Sequence, residues 1–177
     1  ADHWFSICAA SGRSQRLQNQ DGHPPDWSGF NLDTRLQFVW GIGMINGLDG
    51  QVRWMHGTGN RFAIIDHAQS RDLDEIDLAK YVGRWVDGLL VLHPGDDACD
   101  LTMKVINSDG SRARMCGNGL RCIAFDAWRR DVVRGRTVRI RVGDHVARAR
   151  IQRITQDDPV VHVRMPSPII KSESDHI

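Results

Sequence analysis

The sequence predicts an α+β domain in which mostly antiparallel strands wrap around one central helix, with a shorter helix outside. Three observations carry this. Residues 138–142 (VRIRV), 145–154 (HVARARIQRI) and 160–165 (VVHVRM) show the period of two of half-buried antiparallel strands. Leu120, Ile123, Ala124, Ala127 and Trp128 fall at i, i+3, i+4, i+7 and i+8, the apolar stripe of an amphipathic helix. Upstream, 51–55 (QVRWM) and 61–66 (RFAIID) read as strands flanking HGTGN, where Gly57 and Gly59 permit a tight turn with positive φ.

Composition sets the outer bounds. A chain of 177 residues with 41% hydrophobic content has room for one domain with a sizeable core. Lys+Arg 23 against Asp+Glu 22 leaves a net charge of +1, so no overall field favours nucleic acid or a membrane surface. The longest apolar run, 38–45, is far short of the roughly 20 residues a bilayer span needs. The first residues, ADHWFSIC, carry no basic segment followed by an apolar one. Cys8, Cys99, Cys116 and Cys122 are therefore read as free thiols in a reducing cytoplasm. Metal is not expected, because Cys116 and Cys122 have five residues between them and no second paired motif follows.

Taken in order, residues 1–50 lack a sustained period and contain Gly22, Pro24, Pro25 and polar clusters, which suggests a loosely ordered extension or tail. Met44 is a natural start for the domain, and an N-terminal subdomain is the alternative. The core-forming domain runs over 51–170. After the first two strands, 73–85 places Leu78, Val82 and Trp85 on one helical face. The next strands are 86–92 and 101–107. The central helix follows, with Arg121, Asp126, Arg129 and Arg130 on its polar side, and Gly143-Asp144 turns the chain between two of the last strands.

That helix opens on MCGNGLRC (115–122). A helix N-terminus presents unpaired N–H groups and the positive end of the macrodipole, so a cysteine there has its thiolate stabilised and its pKa lowered. Cys116 is thus placed to be a base or nucleophile. Asn118 can cap the helix, while Gly117 and Gly119 leave the backbone amides open to a carboxylate. The bland alternative is a small buried cysteine beside a glycine-rich cap. Cys122, within the apolar stripe, packs. Cys99 lies in a loop without a partner. His56 invites a Cys-His hydrolase reading, but nothing in the sequence brings it to Cys116, and a surface or strand-end histidine is the simpler account.

The series MHGTGNRFAIID (55–66), INSDGSRARMCGNGLRC (106–122) and VHVRMPSP (161–168) resembles, in order and spacing, the N-terminal domain of the diaminopimelate epimerase family. The resemblance covers about residues 51–168. It implies a curled, mostly antiparallel sheet around a central helix, one of two similar domains with the active site between them. It implies a cytoplasmic, cofactor-independent isomerase of lysine and peptidoglycan precursor synthesis, in which one cysteine from each domain flanks the α-carbon of a small amino-acid substrate. Cys116 would be this domain's acid/base. Asn60 and Asn107 would bind substrate, with Gly117 and Asn118 offering amides to its carboxylate. Read on their own, the two asparagines adjoin turn glycines, where asparagine is common for backbone reasons.

Two residues depart from the family pattern. Arg61 stands where an acidic residue is usual, and Gly88 where a glutamine lines the substrate site, so a racemase of another amino acid is an alternative. No second glycine-rich cysteine motif occurs. The implied partner is a second cysteine-bearing domain, in a longer chain or another subunit, with 171–177 as the start of a linker; a homodimer is left open. A non-catalytic domain of the same fold, binding a small carboxylate or a protein, is the reading from a different functional class.

Overall fold

The computed structural model describes residues 52–70, 73–153 and 160–165, together with the backbone of two upstream strands, β1 (Arg16–Gln18) and β2 (Trp40–Gly43). The other strands are β3 (Val52–Gly57), β4 (Asn60–Asp66), β5 (Gly88–Asp96), β6 (Cys99–Asn107), β7 (Arg112–Ala113), β8 (Thr137–Val142), β9 (His145–Arg153) and β10 (Val160–Arg164). The helices are α1 (Glu75–Val82) and α2 (Gly117–Arg129). The strands form one curled sheet in the order β1-β2-β3-β4-β5-β6-β8-β9-β10, with the short β7 added alongside β6.

The sheet is mixed. Parallel pairing joins β1 to β2, β4 to β5 and β6 to β8, and the remaining neighbours are antiparallel. A parallel pair needs a crossover long enough to carry a helix, and the last two pairs carry α1 and α2 respectively. Both crossovers move the same way across the sheet, but β6 runs antiparallel to β5. The preference for right-handed crossovers then sends the two helices to opposite faces.

The side chains record that division. On the inner face Met55, Phe62, Ile64, Leu90, Met103 and Ile140 pack against Leu120, Ile123 and Ala124 of α2. On the outer face Val52, Trp54, Ala63, Ile65, Leu89 and Val91 pack against Leu78, Ala79 and Val82 of α1. One strand thus feeds two cores by alternation. Leu120 and Ile123 are fully buried, each contributing about 1.5–3 kcal/mol of transfer free energy.

Helix α1 is shorter than the 73–85 the sequence suggests. Asp74 caps it, accepting from the amides of Ile76 (2.7 Å) and Asp77 (3.2 Å). It ends at Gly83, where a Cβ would meet Ser108 Cβ at 2.7 Å. In the β3–β4 hairpin the left-handed residues are Thr58 (φ 51) and Gly59 (φ 85), not Gly57 and Gly59, as a two-residue loop between the paired Gly57 and Asn60 requires. The extension read over residues 1–50 contributes backbone to the sheet, since Ile42 pairs with Arg53 and Gly43 with Val52. Its remaining residues, Cys8 among them, and the linker read at 171–177 lie outside the described residues. No helix among those described is long and apolar enough to cross a membrane.

Candidate active site

Helix α2 begins two residues earlier than a capping asparagine at 118 would set it. The N-cap is Cys116 itself, extended at φ −149 and ψ 98, and its Sγ accepts a hydrogen bond from the Gly119 amide at 3.3 Å. Asn118 does not cap: it lies inside the first turn, and its Oδ1 accepts from Arg121 Nη2. Gly119 is where a missing side chain matters, because a Cβ there would stand 3.1 Å from Leu90 Cδ2 and 3.3 Å from Cys116 Sγ. A Cβ on Gly117 would make only an ordinary contact with Met165, at 3.7 Å.

The electrostatics of Cys116 differ from the helix-dipole expectation. The thiol is half-buried, and burial pushes it above its ordinary value. The amides of Gly119 and Asn118 and the charge of Arg121 pull the other way without offsetting this. Burial thus favours the thiol over the thiolate at Cys116.

The sheet register gathers the remaining residues at one end. Asn60 is exposed at the start of β4, where it closes the hairpin with Gly57. Phe62 pairs with Gly88, and Gly88 with Asn107, so the start of β4, the start of β5 and the end of β6 adjoin. Asn107 Nδ2 donates to Ser111 Oγ at 2.9 Å within the turn that follows β6. Thr58, in the same hairpin as Asn60, accepts a hydrogen bond at 2.8 Å from Arg121 of α2, which joins this end of the sheet to the Cys116 helix. The two departures from the family pattern also lie here. The Arg61 amide donates to Asp87 Oδ2 at 2.7 Å, and its guanidinium faces the same oxygen at 3.6 Å. A Cβ on Gly88 would meet the Ile106 carbonyl oxygen at 3.0 Å.

Further expectations change at Arg121, Asp126, His56 and Cys99. Arg121 and Asp126 are not on an exposed polar face of α2; both are buried. His56 lies near the end of β3, as the strand-end alternative had it, but is fully buried rather than at the surface, and strand alternation puts it on the Trp54 side of the sheet, away from the face that Cys116 packs on. Burial, with the charge of Arg61, lowers its pKa to about 4, so it is neutral at physiological pH. Cys99 is not a loop residue but begins β6, buried, with Sγ 3.4 Å from Asp96 Oδ1. Cys122 is fully buried as expected, and burial pushes its thiol far up. Cys99, Cys116 and Cys122 are all free thiols.

Elsewhere, His67, Glu75 and His93 hold potential ligand atoms within 4.8 Å of one another. A cation already serves Glu75: Lys104 Nζ donates to its two carboxylate oxygens at 3.1 and 3.0 Å. The two imidazoles are stacked, 4.1 Å between centroids and 25° between planes, rather than fanned toward a common point. A metal would have to displace the ammonium and splay the rings. A cleft of about 350 Å³ lined by Asp66, His93, Leu101 and Arg130 lies near the opposite end of β4 from Asn60.

Comparison with known proteins decides the family. Residues 52–170 match the family described as diaminopimelate epimerase. The chain belongs to the diaminopimelate epimerase family. A diaminopimelate epimerase of Halothermothrix orenii is 33% identical over 125 residues, covering 67% of this chain and 44% of that protein. One of Carboxydothermus hydrogenoformans is 45% identical over 78 residues, covering 40% of this chain and 28% of the relative. The chain thus spans less than half the length of these curated relatives. Among solved structures, a hydroxyproline epimerase from Agrobacterium vitis, crystallised with trans-4-hydroxy-L-proline, superposes with a TM-score of 0.51 at 15% identity. That match covers 72% of this chain and 45% of the other, and it establishes the shared fold. The buried Arg121 is the residue of this region that sequence reasoning missed; its one signal is the i, i+3 spacing from Asn118 within the family motif.

Proposed function

We propose that this chain is the N-terminal half of a cofactor-independent diaminopimelate epimerase, interconverting the LL and meso forms in lysine and peptidoglycan precursor biosynthesis. The observation that carries the reading is Cys116 at the N-cap of α2, in a chain of this family, with the amides of the first turn beside its sulfur. An α-proton is weakly acidic, so without a cofactor the charge that develops as it leaves must be met by preorganised donors in a dry cleft. Amides of Gly117 and Asn118 at the positive end of a helix suit the substrate carboxylate. Asn60 and Asn107 are the side chains we assign to substrate binding.

Cys116 faces the α-carbon from one side, as thiol or thiolate according to the direction of turnover. The opposite side needs a second thiol, which we assign to a second cysteine-bearing domain, in the same longer chain or in a partner subunit. Protonated Cys116 is suited to giving a proton, and the thiolate of its counterpart to taking one. The setting we assign is cytoplasmic, with no cofactor, nucleic acid or membrane required.

A second reading, racemisation of a different amino acid, is favoured by one specific feature. Gly88 has no side chain to line the site and little space for one, and Arg61 is paired with Asp87. The test is solvent deuterium uptake at the α-carbon with chiral chromatography, run on LL-diaminopimelate and a panel of other amino acids. The 177-residue chain is compared with one extended through any downstream cysteine domain. The expected result is turnover of diaminopimelate by the extended protein only, abolished by Cys116→Ala. Turnover unaffected by Cys116→Ala overturns the assignment of the thiol, and turnover of another amino acid alone selects the second reading.

A further inference from the structure

Arg121 belongs to the glycine-rich motif, yet the reading above gives it no role. It is 5% exposed, and a guanidinium is rarely buried without a carboxylate to pair with. Among the described residues its hydrogen bonds go instead to neutral oxygens: Nη2 donates to Thr58 Oγ1 at 2.8 Å and to Asn118 Oδ1. Its Nε is buried with no hydrogen-bond partner among the described residues. Among the described residues, the titratable groups whose charge would act on it are the Cys122 and Cys116 thiols of its own helix and cap. Cys122 is fully buried and stays protonated. Cys116 is the half-buried one, at the N-cap of the same helix and five residues before Arg121.

An independent observation lies at the other end of the same guanidinium. Thr58 has φ 51, and a β-branched residue in the left-handed region is strained and persists only where its surroundings hold it. Thr58 is two residues before Asn60, in the loop that presents it. The hydrogen bond from Arg121 ties this turn to α2.

We infer that Arg121 is a positioning residue with two separable effects: it fixes the Thr58-Gly59 turn that presents Asn60, and it supplies the positive charge that favours the thiolate of Cys116. The inference rests on the reading of Cys116 as an acid/base. Because a lysine retains the charge but cannot reproduce the planar fork, substitution divides the two effects.

The experiment uses the 177-residue chain. Cys116 alkylation by iodoacetamide is mass-mapped over a pH series, amide hydrogen exchange is read at Gly57 and Asn60, and melting is followed by circular dichroism. Arg121→Met should move the alkylation midpoint up by about half a pH unit or more and speed exchange at the turn by roughly tenfold. Arg121→Lys should keep the midpoint near that of the parent yet lose the turn protection. Thr58→Val, which removes only the acceptor oxygen, should do the same. A folded Arg121→Met protein with an unchanged midpoint overturns the electrostatic role. Unchanged protection in both Arg121→Lys and Thr58→Val overturns the positioning role, and does so even if Arg121→Met fails to fold. These readouts need no turnover, whereas failure of the Cys116 assignment appears as turnover that survives Cys116→Ala.

Discussion

Arg53 Nε lies 3.1 Å from Asp126 Oδ2, with side-chain exposures of 7% and 0%, and this contact ties β3 to α2 through the inner core. The same guanidinium reaches Asp66 at 3.3 and 3.0 Å, and Arg130 grips Asp66 from the other side at 2.8 and 3.0 Å. Two arginines and two aspartates thus stitch the C-terminal half of α2 to β3 and β4, while the other end of the helix carries Cys116. Breaking a buried pair by removing one partner leaves an uncompensated charge. Asp126→Ala should therefore lower the urea-derived unfolding free energy by about 3 kcal/mol or more. The Arg53→Met, Asp126→Leu double variant should recover much of that loss in a double-mutant cycle.

His56 makes stability depend on pH in a window above that of the carboxylates. Its folded pKa is about 4 against an ordinary 6.5, so the unfolded chain binds the extra proton between those values. Stability contributed by neutral His56 is therefore full above pH 6.5 and is lost as pH falls toward 4, by about 3 kcal/mol at most. Urea midpoints at pH 7 and 4.5 should fall further for the parent than for His56→Gln. Equal falls would assign the acid lability elsewhere.

Alkylation should follow burial, not the helix dipole. The Cys116 thiol is raised by burial, so its native-state reaction with iodoacetamide should have a midpoint above that of an unfolded peptide containing the same cysteine. Cys99 and Cys122, both buried, should react only on unfolding. A midpoint below the peptide's would restore the dipole expectation.

Two glycines should resist alanine for different reasons. At Gly88 the obstacle is the Ile106 carbonyl oxygen, 3.0 Å from the added Cβ. Gly88→Ala must therefore shift backbone, and should cost about 1–3 kcal/mol. At Gly119 the added methyl presses on Leu90 and on Cys116 Sγ. Gly119→Ala should therefore change the Cys116 alkylation profile as well as the melting temperature, whereas Gly117→Ala, with only the flexible Met165 nearby, should change either much less.

The strands and the central helix were legible in the sequence because alternation and a 3.6-residue stripe are local patterns: 138–142 and Leu120 to Trp128 need no knowledge of their neighbours. The resemblance to the family pointed to Cys116, Asn60 and Asn107 as candidate site residues, which the residues read on their own would not have singled out as a set. What lay beyond reach depends on residues distant in the chain. Arg121 and Asp126 look like solvated charges on a helical wheel, and become buried because Thr58, in the β3–β4 turn, and Arg53, on β3, supply their partners. The helix dipole argues for a lowered Cys116 pKa, but the desolvation that overrules it comes from the packing of the sheet around the sulfur. A hydrophobic period specifies which face of an element is covered. Whether a charged group on that element finds a counter-charge, and how much water reaches a thiol, is decided only when the elements meet.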